Sequence, residues 1–225
     1  MRLIERELGL EIELKENTVS ILVVEKTALR PLLITELYSQ IMNNQEGNWI
    51  LIENEKNYEL GKKAELILEP FTLELNNKKV KSKLYQEIKT VAQEFAYTQG
   101  LEVHAHICTY LENLLERIPY PVKYTEEWNL AELLKVYGVE LEEESDNVYE
   151  KLFNYIKLIN AVCGTEIFIA VNIKQYLGSE QIIELYKLAM YSKIKLVLIE
   201  FSTNNAKYDC EEIYIIDEYG CIITY

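Results

Sequence analysis

Two continuous apolar runs, IFIAVN (167–172) and IKLVLIEF (194–201), bracket one amphipathic helical stretch, and no glycine-rich loop precedes any helix of the chain. Strands that are apolar on both faces must be covered on both faces, which commits this region to strand–helix–strand units and a mostly parallel sheet. Such units form the core of nucleotide-binding α/β proteins. A phosphate loop, however, needs GxxxxGK[ST], so that backbone N–H groups and a lysine can wrap a phosphate. Gly61-Lys62-Lys63 comes nearest, but Lys56 stands where the first glycine belongs and no hydroxyl residue follows. After the apolar run at 19–24 the chain reads EKTALR, without glycine. The expectation is an NTPase-like core that binds no nucleotide.

LEIEL (10–14) and VSILVV (19–24) predict a strand pair across the polar turn Lys15–Thr18. TALRPLLITELYSQIMNN predicts a helix capped by Thr27, with Pro31 near its first turn. WILIE (49–53), AELILE (64–69), FTLEL (71–75) and VELE (139–142) read as short strands. A helix striped by Val148, Leu152, Ile156, Ile159 and Val162, capped by Ser145 or Asp146 and stopped by Gly164, leads into the first buried strand. Ser179 is the expected cap of the helix that follows, and 212–217 with 221–225 predict a hairpin turned at Tyr219–Gly220.

Between these segments the period changes. Val80, Leu84, Ile88, Val91 and Phe95 make one helical stripe; past an interruption at Gly100, Val103, Ile107, Leu111, Leu114 and Ile118 repeat its spacing until Pro119 and Pro121. Two nearly consecutive helices of about five turns each make an arm rather than a layer. A short helix with Leu130, Leu133, Leu134 and Tyr137 on one face then stops at Gly138. The expected organisation is an α/β head of residues 1–79 and 139–225 with a helical arm of 80–138.

The 225 residues carry a net charge of −14, which excludes a uniformly basic surface. Residues 60–90 nevertheless hold seven Lys against four Glu, among them Lys62, Lys63, Lys78, Lys79, Lys81 and Lys83. A local basic patch on an acidic body can bind a polyanion where geometry concentrates it, and can equally be a solvated face. No run reaches the length of a membrane span, the N-terminal stretch is charged throughout, and the four cysteines form no CxxC pair. A cytoplasmic protein with reduced thiols is expected.

Few constellations promise catalysis. His104 and His106 stand two apart on a helix, where side chains diverge and cannot share a metal. Asn172 and Glu200 end the buried strands, where α/β enzymes often place an acid, yet without a phosphate cradle they have nothing to act on. Glu126, Glu127 and Glu132 bracket a helix start. They read either as the beginning of a calcium site or, through Asn129 and Glu132, as a capping box.

The order of segments NLAELLKVYGVELEEESDNVYEKLFNYIKLIN and IFIAVNIKQYLGSEQIIELYKLAMYSKIKLVLIEF resembles the Csn-family adaptation protein of subtype II-A CRISPR–Cas systems. The resemblance runs continuously over roughly 125–201 and rests on order and spacing, not on catalytic motifs. It implies an α/β head related to P-loop ATPases but lacking their loop, with a helical leg where the arm falls. It implies a homotetrameric ring threading double-stranded DNA ends, without sequence preference or catalysis, beside other CRISPR adaptation proteins. It implies Ca2+, with Glu126, Glu127 and Glu132 at the matching positions. The DNA-facing lysines follow no motif, so the six named above come from charge asymmetry alone. A divergent NTPase or nuclease, and a scaffold for adaptation partners, are the rival readings.

Overall fold

The computed structural model describes residues 1–142, 147–202 and 208–224. The chain divides into two compact units, Met1–Leu75 with Glu143–Tyr225, and Asn76–Glu142.

The first unit opens with β1 (Arg2–Glu5), β2 (Leu10–Glu13), β3 (Val19–Val24), helix α1 (Leu29–Asn43), β4 (Trp49–Glu53), β5 (Lys56–Tyr58), the four-residue helix α2 (Leu60–Lys63) and β6 (Ala64–Ile67). The second unit supplies α3 (Lys78–Phe95), α4 (Tyr97–Leu115) and α5 (Leu130–Val136). The chain then completes the first unit with α6 (Val148–Cys163), β7 (Ile167–Val171), α7 (Ser179–Tyr191), β8 (Lys195–Glu200), β9 (Glu211–Ile216) and β10 (Ile222–Thr224).

Among the described residues these strands make two sheets, ordered β10-β9-β3-β8-β7-β6 and β2-β1-β4-β5. The first is parallel from β9 to β6 and closes with β10 antiparallel; the second is antiparallel throughout. This is a mixed α/β fold with a mostly parallel major sheet. Strands β3, β8, β7 and β6 of the major sheet are buried on both faces, as their apolar runs require. Leu22, Val24, Ile167, Ile169, Val197 and Ile199 share one core with Leu33, Leu37 and Ile41 of α1 and with Leu3, Ile12 and Leu51 of the small sheet. The alternate residues, among them Ile21, Phe168, Ala170, Leu196 and Leu198, are equally buried on the other face, where α6 and α7 bring Leu152, Ile156, Ile182 and Leu185.

The predicted pair of strands at 10–14 and 19–24 does not form. β2 runs beside β1 with Leu10 opposite Glu5, whereas β3 lies between β8 and β9. All six residues of β3 are buried, while β2 alternates buried and exposed. A strand apolar on both faces is satisfied by parallel neighbours under helices, not by a half-solvated partner. FTLEL forms no strand either: Pro70–Thr72 is a 3-10 turn, although Leu73 and Leu75 are buried. Residues 139–142 also stay outside any ladder.

Helix ends depart from expectation where several polar residues stand close together. α1 has no side-chain cap; Ala28, not Thr27, occupies its N-cap position. α6 is capped by Asn147, which accepts from Tyr149 N–H at 3.0 Å; Ser145 and Asp146 lie outside the described residues. Ser179 is the first residue of α7, and its predecessor Gly178 donates its N–H to Gln181. Gly164 ends α6 in the left-handed region, φ +65°, as a glycine stop should.

One buried ion pair ties the C-terminal part of the first unit together. Lys174 Nζ meets Glu211 Oε1 at 2.5 Å, with side chains 4% and 1% exposed. Tyr186 donates to the same oxygen, and Tyr208 N–H to the other. Removing one partner strands a charge in the core. Lys174→Met is expected to cost about 3–5 kcal/mol of folding stability in urea unfolding, and Lys174→Met with Glu211→Leu markedly less.

Candidate nucleic-acid interface

The lysine-rich segment becomes the start of α3. Asn77 caps it, its Oδ1 accepting from Val80 N–H at 3.1 Å. Lys78, Lys79 and Lys81 therefore occupy the first turn, which holds no acid. Cations at a helix N-terminus oppose the dipole, at a cost of about 0.3–1 kcal/mol each. Local helix stability thus gives no reason for these lysines.

Residues 139–141 run back along this turn. Asn76 makes two 2.8 Å bonds with the backbone of Leu141, through Nδ2 to its carbonyl and Oδ1 to its N–H. Tyr85 Oη donates to the Val139 carbonyl at 3.0 Å. These bonds explain why VELE makes no strand: side chains of the helical unit take its backbone groups. They also place α5 beside α3, and between the two lies a groove of about 820 Å³. Lys78, Lys81, Lys89 and Lys135 line it, with Glu140 as its one carboxylate among the described residues and Tyr85, Ser82 and Gln86 between them.

The six lysines nominated from sequence thus separate. Lys78 and Lys81 line the groove, and Lys79 and Lys83 stand exposed on the same helix. Lys62 and Lys63 belong to α2 in the other unit. There Lys62 pairs with Glu59 at 2.7 Å, while Lys63 binds Glu166 and lies over the Tyr58 ring. Lys89 and Lys135 were missed as site residues. The signal for Lys89 was legible: Lys78, Lys81, Tyr85 and Lys89 follow i, i+3, i+7, i+11, a polar stripe at helical spacing. Lys135 comes from a separate helix, and nothing local announces it.

The three candidate metal ligands fall on the other side of α5. Glu127 and Glu132 line a cleft of about 390 Å³ with His104, Cys108, Tyr124 and Trp128. The backbone carbonyl of Glu126 meets His104 Nε2 at 2.9 Å. Asn129 caps α5, accepting from Glu132 N–H at 3.3 Å, but the Glu132 carboxylate does not reach back. It holds Lys135 Nζ at 2.7 Å instead, which raises the lysine pKa. Among the described residues no three His, Cys, Asp or Glu side chains gather closely enough to hold a metal ion. Ca2+ takes six to eight oxygens, so these glutamates do not by themselves form a calcium cage within one chain.

The helical unit also leaves apolar surface uncovered. α4 has no buried residue, and Phe95, Tyr97, Tyr110, Val136 and Tyr137 are each more than 60% exposed. Gly100 does not break α4 but lies inside it, and a Cβ there would stand 3.9 Å from the Trp128 indole. The break falls at Ala96, φ −137°. No helix among the described residues is long and apolar enough to cross a membrane.

In the α/β unit, the edge where parallel sheets usually bind ligands is filled by the protein itself. Arg30 Nε donates to the Val24 carbonyl at 2.8 Å, and Nη2 to those of Glu25 and Phe201 at 2.9 and 3.0 Å. Its guanidinium lies 4.9 Å over the Phe201 ring. Glu200 is 3% exposed and accepts from Lys174 N–H at 3.2 Å. Asn172, in the left-handed region, begins the 3-10 turn beside it.

The profile of the family described as CRISPR-associated protein (Cas_Csn2) matches residues 40–219. CRISPR-associated protein Csn2 of Streptococcus agalactiae is 31% identical over 132 residues, 59% of this chain and 54% of that protein. The match therefore spans about half the length of that relative. Among solved structures, cbiO1 from Clostridium perfringens, part of the ABC transporter complex cbiONQ, gives a TM-score of 0.49 at 13% identity, covering 96% of this chain and 79% of that one. A likeness at that level assigns nothing to this chain.

Burial raises the pKa of Glu200 above the usual carboxylate value. Its folded form then holds a proton that the unfolded chain gives up near pH ~4.3, so stability falls as pH rises through that window. Glu200→Gln keeps the acceptor and removes the charge. Its melting temperature should exceed wild type at pH 8, and the advantage should shrink toward pH ~4.

Proposed function

The chain belongs to the CRISPR-associated Csn2 family, and from that premise we propose that it is a non-catalytic clamp for double-stranded DNA ends in spacer acquisition. The observation that carries the reading is the groove between α3 and α5, where, among the described residues, four lysines converge around one carboxylate on a chain whose net charge is −14. Lysines that meet phosphates neutralise charge without reading bases, so binding is independent of sequence and falls steeply with salt.

A body this acidic repels DNA unless its few cations act together. Several copies around one opening multiply the contacts, and the uncovered aromatic and aliphatic side chains of the helical unit offer surface for such self-association. In this reading the assembly is a homotetrameric ring, as the family resemblance implies. Calcium is part of the same proposal. Because the glutamates of one chain are insufficient, an ion at Glu126, Glu127 and Glu132 would draw further oxygens from water or a second copy. We also read the α/β unit as a P-loop-ATPase-type head that has lost its loop. The missing glycines and the Arg30 plug support this, and they count against an NTPase.

Two measurements test the reading. Solution mass should show a tetramer with calcium and a smaller species with chelator. In gel-shift experiments linear duplex should bind and closed circular duplex should not; equal binding to both overturns end-threading. Lys78→Gln and Lys89→Gln should each weaken linear-duplex binding similarly for unrelated sequences, and each should lower the salt slope by about one for every copy whose lysine meets a phosphate.

A further inference from the structure

The lysine groove does not end at Lys89. That residue and Ala131 also border a second cavity, of about 470 Å³, within the same unit and beside the break at Ala96. Its walls have a different character. Tyr97, Trp128 and Leu101 stand where the groove has cations, with Gln93 and Gln99 as neutral polar groups among them. Among the described residues Lys89 is the cavity's one cation and Glu127 its one carboxylate. The fold does not use up this surface: α4 has no buried residue, and Tyr97 and Leu101 are 64% and 46% exposed. Trp128 also lines the cleft around His104, whose ring lies 5.4 Å from the indole, so the indole is a wall between the two cavities. Its Nε1–H meets no acceptor among the described residues. A planar group with apolar faces and hydrogen-bonding edges suits such walls; a phosphate, which needs several cations, does not.

We propose that this cavity takes one unpaired nucleobase from the end of the duplex, while the phosphate beside that base stays at Lys89. The proposal rests on the groove being the duplex-binding surface. Lys78 and Lys89 lie about 16 Å apart along α3, so a duplex laid along the groove meets Lys78 about five base pairs inward of its end. Withdrawing a base from the stack is costly, and least so where the base is already unpaired. Stacking on an aromatic ring serves any base, because every base has a π-face. The amides of Gln93 and Gln99 each carry donors and an acceptor, so they too accept any base edge. The cavity therefore adds a preference for ends without adding one for sequence. A ring excludes closed circles by topology alone; this cavity separates open ends from capped ones by contact.

The test keeps calcium present throughout, so that the assembly stays intact, and compares three linear duplexes of one sequence. One carries an unpaired 2-aminopurine at its 3′ or 5′ terminus, one is blunt, and one has both ends bridged by an ethylene glycol linker. All three can thread a ring, but the bridged ends offer no free base. Wild type should hold the overhang about five- to a hundredfold tighter than the bridged duplex, with the blunt one between them. The 2-aminopurine emission should fall on binding. Trp128→Ala should hold all three alike and leave the emission unchanged, whereas Trp128→Phe, which keeps a ring, should retain most of the preference. Tyr97→Ala, at an exposed position, should narrow the preference and reads it independently if Trp128→Ala does not fold. If wild type holds all three alike while Lys78→Gln weakens each of them, the cavity takes no base and the groove stands. If Lys78→Gln changes none of them, the groove reading itself has failed. A lower solution mass for Tyr97→Ala makes the cavity wall a contact between copies, which also overturns the proposal.

Discussion

Burial of the major sheet on both faces is the constraint from which the rest of the α/β unit follows. Once β3, β7 and β8 are apolar on both sides, they must lie parallel under two helical layers. The small antiparallel sheet, with α1, then covers one face and leaves α6 and α7 to cover the other. The carbonyls emerging at the ends of β3 and β8 still need donors. In nucleotide-binding α/β proteins generally, glycine-rich backbone crowds this edge for a phosphate; here a single guanidinium, Arg30, satisfies three carbonyls. Glu200, at the end of β8, is turned onto the backbone amide of Lys174. The usual ligand edge is spent on holding the fold.

How much of this the sequence disclosed depended on whether a residue's environment was local. Continuous apolar runs and helical stripes announced β3, β7, β8, α3, α6 and α7, because their periods report burial directly. The terminal hairpin was legible from Gly220, which sits at φ +90° in its turn. FTLEL and VELE misled because alternation shows only which side chains are buried. It does not show what takes the backbone groups, and for VELE those partners are Asn76 and Tyr85, more than fifty residues away. The strand pair at 10–24 misled for the converse reason. Adjacency in sequence suggested a hairpin, but a two-sided apolar strand outcompetes a turn of ordinary composition. Gly100 looked like a stop, yet it lies inside α4 next to Trp128, where a Cβ would make only an ordinary van der Waals contact.

The candidate site was legible by halves. Charge asymmetry pointed to the right helix, and the stripe Lys78–Lys81–Tyr85–Lys89 was present in its spacing. Charge asymmetry could not separate lysines that face the groove from Lys62 and Lys63, whose short helix follows a different strand and whose charges meet Glu59 and Glu166. Nor could it supply Lys135, which reaches the groove only because Asn76 and Tyr85 hold residues 139–141 against α3.

Polar side chains of this protein fall into two kinds, buried and matched or open to exchange. In the α/β unit Lys174, Glu211 and Tyr186 form a buried, matched cluster, so exchanging a partner there costs stability, whereas surface pairs such as Lys62–Glu59 are open to water. In the helical unit the pairs Lys81–Glu140 and Lys135–Glu132 are open to water, and an exposed pair exchanges partners at little cost. The units differ in their cores: the first gathers a large cluster of buried side chains, whereas α4 has no buried residue. Groups that can change partner without unfolding the chain are those through which binding can act, and the groove lysines between Asn76 and Glu142 are among them.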